Sequence, residues 1–274
     1  MTTKYNKKVN IDGSYRRCYG HTVVSDLNDN LSSIEKFILK SDVLNKYFSP
    51  LPAHSYHMTV FNVWSDGRVL IPAYAKIIKD NEESMARMKL EDEAERKHHD
   101  RLAKYDKEYY NKHPGYKQAP NIPKGMMDEK RSDISILTLP HSFWFPIMED
   151  IDEICKSDIQ SNIKVRVKVR NNCNGVGLGV SLELDEQTSV LLTNMRTKIS
   201  KIVGDSDSNL VPHMTLAYRY RDIPTEESEI VNSEIRKLNE HISSITSNGI
   251  TFKPSRACWF SDMTRFLKSE DMFF

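Results

Sequence analysis

Ser55-Tyr56-His57-Met58-Thr59-Val60 and Pro212-His213-Met214-Thr215-Leu216-Ala217-Tyr218 share nearly one tetrapeptide, and their histidines stand 156 residues apart. Residues 56–64 are rich in aromatic and β-branched side chains and stop at Ser65-Asp66-Gly67. That composition and that stop predict a strand ending in a turn. Residues 212–218 read the same way, and each copy follows a helical pattern and a proline-containing approach. A short match repeated in a like setting points to a divergent duplication. On a strand, residues two apart share a face. His57 and Thr59 therefore project together, with Met58 and Val60 in the packed layer. His213 and Thr215 pair likewise, with Met214 and Leu216 behind them.

Working outward, residues 19–24 predict a strand. Leu31, Ile34 and Ile38 predict a helix capped by Asn30. Residues 80–112 are crowded with charge and have only a thin apolar stripe, Leu90, Ala94 and Leu102. They read as a solvated helix or helix pair, either an exposed insertion or a lid or partner-docking arm. The loop at 114–125, with its prolines and glycines, is the best boundary between halves. Beyond it, Ile163, Val165, Val167 and Val169 interleave with Lys164, Arg166, Lys168 and Arg170, a strict period of two. Residues 175–184 predict the return strand of a hairpin. Leu191, Met195, Ile199 and Ile202 mark a helix, and Val231, Ile235, Leu238, Ile242 and Ile245 another. Residues 250–260 predict a last strand. Strands and helices do not alternate as in a doubly wound sheet, so the class is α+β.

The chain has 274 residues, 39 Lys plus Arg against 38 Asp plus Glu, a net charge of +1 and 4 scattered cysteines. This length fits one large domain or two small lobes, and it buries enough surface to fold without disulfide or metal. Near-neutral charge argues against nonspecific duplex binding as the main task. No apolar run reaches the ~20 residues of a membrane span, and the start lacks the apolar centre of a secretory signal. A cytoplasmic protein of a reducing compartment, with no membrane contact, is the expectation.

Two His-x-Thr strands facing across a cleft would offer two imidazoles and two hydroxyls to one ligand. A histidine with pKa near ~6.5 is accessible in both protonation states at neutral pH. One ring can then take a proton from an attacking oxygen while the other donates to a leaving oxygen. Threonine hydroxyls can hold the nonbridging phosphate oxygens. The scheme needs no metal and no cofactor.

The two stretches quoted at the outset resemble the paired signatures of the two-histidine (2H) phosphoesterase superfamily. That superfamily includes LigT-like RNA ligase/cyclic phosphodiesterases, eukaryotic cyclic phosphodiesterases and viral 2′,5′-oligoadenylate phosphodiesterases. The resemblance spans roughly residues 18–64 and 130–262, and the charged insertion has no counterpart in compact members. It implies a bilobal, pseudo-twofold α+β fold, with two antiparallel or mixed sheets facing a central cleft and helices outside. On that basis we expect a flexible N-terminus over 1–17 and one bilobal domain over 18–274. Its lobes would be about 18–79 and about 130–274, with the insertion over about 80–125. The expected activity is metal-independent cleavage of a 2′-linked phosphodiester in a nucleotide or short RNA. His57 and His213 would be catalytic, and Thr59 and Thr215 would bind the phosphate. A catalytically inactive RNA- or nucleotide-binding module using the same groove is the alternative, and ligation of RNA ends a weaker third.

Further candidates carry two readings each. Lys164, Arg166, Lys168 and Arg170 either line the cleft and attract phosphate or form the solvated face of an edge strand, where lysines block aggregation. Phe61, on the His57 face if the strand is regular, stacks on a base or caps the core. Arg219 shares the His213 face by parity and either contacts phosphate or does not. Tyr218 points to the other side, into the core. The run Gly175-Val176-Gly177-Leu178-Gly179 lacks the spacing of a nucleotide loop. His54 with His57, and His98-His99, lack a third metal ligand. The parity of His21, cleft or core, stays open. The aromatic run 141–146 reads as buried packing rather than base stacking.

Overall fold

The computed structural model describes residues 8–65, 71–77, 79–80, 112, 141–159, 161–169, 177–205 and 211–268. The first half supplies β1 (Gly20–Asp26), α1 (Ser32–Lys40), α2 (Asp42–Asn45), β2 (Phe48–Pro50) and β3 (His57–Ser65). The second supplies α3 (His141–Asp158), β4 (Ile163–Val169), β5 (Gly177–Glu183), α4 (Glu186–Val203), β6 (His213–Arg219), α5 (Ser228–Ile245), β7 (Ile250–Phe252), β8 (Arg256–Asp262) and β9 (Arg265–Lys268). The charged insertion, apart from residues 80 and 112, lies outside the described residues, as do the boundary loop at 114–125 and Arg170.

Two sheets form, in the orders β3-β1-β8-β9 and β2-β6-β5-β4-β7. Every pairing within them is antiparallel. With helices packed against both sheets, the protein is α+β. The order β3-β1-β8-β9 corresponds strand for strand to β6-β5-β4-β7. Each motif strand is the second strand of a strand–helix–strand unit and pairs with the first.

The halves are not contiguous in sequence. The short strand β2, from the first half, pairs with β6, while β8 and β9, from the far end, extend the sheet of β3. The helices cross over as well. The pair α3 and α4 packs on β8 and β3, whereas α1 and α5 pack together, against β2 and β4. The lobe boundaries expected near residues 79 and 130 therefore do not separate the sheets. The expected single strand over 250–260 is two strands in different sheets. Pro254, between them, has no amide to donate, so the ladder breaks there.

The helices follow their apolar stripes. Ile34 and Ile38 of α1 are buried, as are Val231, Ile235, Leu238 and Ile242 of α5. The buried set of α4 is Leu192, Met195, Ile199 and Val203. Leu191, included in the stripe from its spacing, is 38% exposed. Each fully buried Leu, Ile or Val contributes about 1.5–3 kcal/mol. The run at 141–146 opens α3, where Phe145 packs on the core.

The expected flexible N-terminus is packed from residue 9 onward. Val9 and Tyr15 are buried and bridge each other, and the Tyr15 hydroxyl donates to the Pro50 carbonyl at 2.7 Å. A polar composition concealed two apolar anchors. Residues 1–7 lie outside the described residues.

Candidate functional site

Both motif strands begin at their histidine, and β3 and β6 lie against each other. The alternation expected from period two holds over the first four residues of each. His57, Thr59, His213 and Thr215 are half-buried, whereas Met58, Val60, Met214 and Leu216 are buried.

Each strand then bulges at the same place. Against β1, Thr59 pairs with Val24 and Phe61 with Val23, so Val60 is the extra residue. Against β5, Thr215 pairs with Gly179 and Ala217 with Leu178, so Leu216 is the extra residue. A bulge adds one residue to one strand and reverses the parity beyond it. The carbonyls of the two bulged residues are taken up from outside these ladders. Val60 accepts from Arg196 Nε and Leu216 from the Leu51 amide, each at 2.8 Å.

The bulges correct three expectations. Phe61 turns into the core and is buried, so it does not share the His57 face. Arg219 lies opposite to His213 in parity; its Nε donates to the Arg221 carbonyl and it pairs with Asp222. Tyr218, expected in the core layer, stands on the His213 face and shares a hydrogen bond with Thr215. Asn62 takes the equivalent place beyond Thr59. His21 belongs to the core, its Nδ1 2.8 Å from the Tyr74 hydroxyl.

Both rings are oriented alike. His57 Nδ1 lies 2.7 Å from the Ser55 carbonyl, and His213 Nδ1 lies 2.8 Å from the Val211 carbonyl. A carbonyl only accepts, so each Nδ1 carries the proton and each Nε2 is left to work. Ser55 and Val211 both lie two residues before their histidine, a third sign of the duplication.

The pseudo-symmetry breaks beside the rings. Cross-strand from His57 is Asp26; cross-strand from His213 is Ser181. Arg256 grips Asp26 through Nε at 2.7 Å and Nη2 at 3.1 Å, and the same Nη2 donates to the Phe266 carbonyl at 2.8 Å. One guanidinium thus ties β1, β8 and β9 together. It also holds the Phe266 ring 4.1 Å from the His57 ring, centroid to centroid.

This environment sets the charge of His57. Burial pushes its pKa below the ordinary 6.5; the Ser55 carbonyl and the Asp26 carboxylate oppose that shift, while protons on His213 and Arg256 add to it. Hence His57 titrates below 6.5, and NMR titration of its ring should show this directly. Phe266→Ala uncovers the ring and moves the midpoint upward. Since the folded value is the depressed one, stability from this group is present above 6.5 and is lost as pH falls through the folded value. A midpoint at or above 6.5, unmoved in Phe266→Ala, would contradict this account.

The chain resembles the protein 127L of Invertebrate iridescent virus 6, described as uncharacterized, at 26% identity over 89% of this chain and 86% of that protein. Its fold resembles the crystal structure of ATU0111, a conserved protein of unknown function from Agrobacterium tumefaciens. The TM-score is 0.51 at 16% identity, over 96% of this chain and 89% of that one. No family model matches the sequence.

The cationic stripe lies on the His213 face. Lys168 stands cross-strand from Ser181, and Ser181 from His213. Lys164, Arg166 and Lys168 are exposed, and Lys168 pairs with Glu183 at 3.6 Å. Strand β4 lies between β5 and β7, pairing with β5 over residues 166–169 and with β7 over 163–165, so each stretch is open on one side in the described register. That one-sided pairing fits the reading of these cations as protection of an edge as well as the reading as phosphate attraction.

The Gly-x-Gly pattern of β5 is explained here. A Cβ on Gly177 would meet the Ala217 carbonyl oxygen at 2.2 Å, and one on Gly179 the Met214 carbonyl oxygen at 2.8 Å. The bulged β6 crowds β5, and only glycine fits.

Asp26, Arg256, Phe266, Asn62 and Ser181 escaped the sequence reading. Asp26 and Arg256 are 230 residues apart, with no spacing rule to join them. Among the described residues, no group of three or more His, Cys, Asp or Glu could hold a metal ion. No described helix is long and apolar enough to cross a membrane.

Proposed function

We propose that the protein is a phosphodiesterase that cleaves a 2′-linked phosphodiester of a nucleotide or short RNA by two-histidine acid/base catalysis. The candidates are a 2′,5′-oligoadenylate, a 2′,3′-cyclic phosphate and a cyclic dinucleotide with a 2′-linkage. The observation that carries this reading is the matched pair of rings. On adjacent motif strands, each imidazole is anchored through Nδ1 to the carbonyl two residues earlier, so each aims Nε2 outward beside a threonine.

The asymmetry divides the labour. His57, kept neutral by burial beneath Phe266, takes the proton from the attacking oxygen. His213, the more open ring, donates one to the leaving oxygen as the phosphorus–oxygen bond breaks. Thr59 and Thr215 donate to the nonbridging oxygens, where charge grows in the transition state. Tyr218 holds the Thr215 hydroxyl in place. Among the described residues Cys18, Cys155 and Cys258 are free and buried, which suits a reducing, cytoplasmic setting.

The test is product chromatography on a panel of 2′,5′-, 3′,5′- and cyclic-phosphate substrates. We expect the 2′-linked members to be consumed, with undiminished rate in excess chelator. Product identity separates hydrolysis from ligation. Tight binding of the panel without turnover would replace this reading with that of an inactive binding module.

A further inference from the structure

We propose that the face of β5 forms the floor of a trough for a single-stranded polyanion, with a second phosphate site at Lys168 and a third at Arg166. This rests on reading His213 and Thr215 as the seat of the first phosphate.

Three observations carry it. The floor beside the motif strand is nearly bare: Gly177, Gly179 and Ser181 of β5 face this side, cross-strand from Tyr218, Thr215 and His213, and Glu183 follows on the same face beyond them. The motif strand β6 borders it on one side from Tyr218 to His213, and at Ser181 β4 borders it on the other, with Lys168 directly across. Two strand spacings put the walls about 10 Å apart between backbones, enough for one chain and too narrow to seat a duplex. From Lys168, Arg166 and Lys164 continue along β4 at about 7 Å intervals, leading away from the His213 end.

Strand β4 lies between β5 and β7, with residues 166–169 paired to the first and 163–165 to the second. Buried Ile163 and Val165 alternate with the cations and already seat the strand on the core. Glu183, cross-strand from Arg166 and 3.6 Å from Lys168, is the one acid that the described register places among these cations. It tempers the track without neutralising it. Among the described residues the β4 side offers Lys164, Arg166 and Lys168 and no aromatic side chain, so that side reads charge. A nucleic acid strand is favoured over an acidic peptide because the track begins at the two-histidine groove.

The test is fluorescence anisotropy with a labelled single-stranded DNA of twelve nucleotides, which lacks the 2′-hydroxyl and so reports binding without turnover. Each phosphate neutralised on a single strand contributes about −0.7 to the slope of log affinity against log salt. We expect a wild-type slope of roughly −2, hence about a tenfold loss or more between 50 and 200 mM salt. The variant Lys164→Gln/Arg166→Gln/Lys168→Gln should flatten the slope by about 1.4, the share of two phosphates, and weaken binding at low salt by tenfold or more. All three side chains are exposed, so the variant folds, and its melting curve verifies that. Glu183→Gln should act oppositely and tighten binding several-fold.

A flat wild-type slope, or equal affinity and slope in the triple variant, would overturn the proposal. So would displacement of the DNA by polyglutamate as readily as by unlabelled oligonucleotide, which would assign the track to an acidic protein partner. The outcomes also separate the two readings. Salt-dependent binding without turnover on any phosphodiester keeps the trough and removes the enzyme. Turnover with an affinity that does not grow from dinucleotide to twelve-mer keeps the enzyme and removes the trough.

Discussion

Alanine at His57 or at His213 is expected to lower turnover of a 2′-linked phosphodiester by about 10²–10⁴-fold, the usual worth of a positioned acid or base. The double variant should fall little further than the worse single one, because the two rings act on the same proton traffic and their losses do not multiply. Thr59→Val and Thr215→Val keep shape and remove a donor, and each should cost about 10²-fold. Melting temperature should hardly change, since His57 and His213 are only half-buried. The measurement is kcat/KM for the best substrate of the panel, across pH. The acid limb of the free enzyme should lie below 6.5, following the neutral His57. Full activity in the double variant would remove the mechanism altogether.

Gly177→Ala should be the most damaging single methyl group in the second sheet. Its Cβ would lie 2.2 Å from the Ala217 oxygen, a backbone atom that cannot swing aside. The strands must separate, at a cost of about 1–3 kcal/mol, which lowers the melting temperature by several degrees in a protein of this size. Gly179→Ala meets its carbonyl at 2.8 Å and should cost less. Because Gly177 sits cross-strand from Tyr218, the same change should disturb the Tyr218–Thr215 hydrogen bond and weaken ligand binding. Thermal unfolding by circular dichroism settles the order. Equal melting of Gly177→Ala and wild type would mean that the bulge does not press on β5.

Much of the site was legible because the strand period is short. His57 with Thr59, and His213 with Thr215, needed only the rule that alternate residues share a face. One residue beyond each threonine that rule failed. Phe61, Tyr218 and Arg219 were each placed on the wrong side by a single inserted residue. Nothing in Val60 or Leu216 announces a bulge; the hint lay across the ladder, in the glycines of β5. The helices α1, α4 and α5 were visible from their apolar spacing, but α3 was not. Its first turns carry an aromatic run and Pro146, which do not look helical in isolation.

The sequence by itself determined the class, the duplication, and the pairing of each imidazole with its hydroxyl. These are properties of neighbours along one chain, fixed by backbone geometry. Only the tertiary structure decided that Asp26, Arg256 and Phe266 surround His57 while Ser181 stands beside His213 with Lys168 one strand further on. Arg256 and Phe266 reach His57 on strands exchanged between the halves, where contact is set by how the apolar faces pack together. Local spacing carries no record of such a meeting, and it is what makes two nearly identical tetrapeptides chemically unequal.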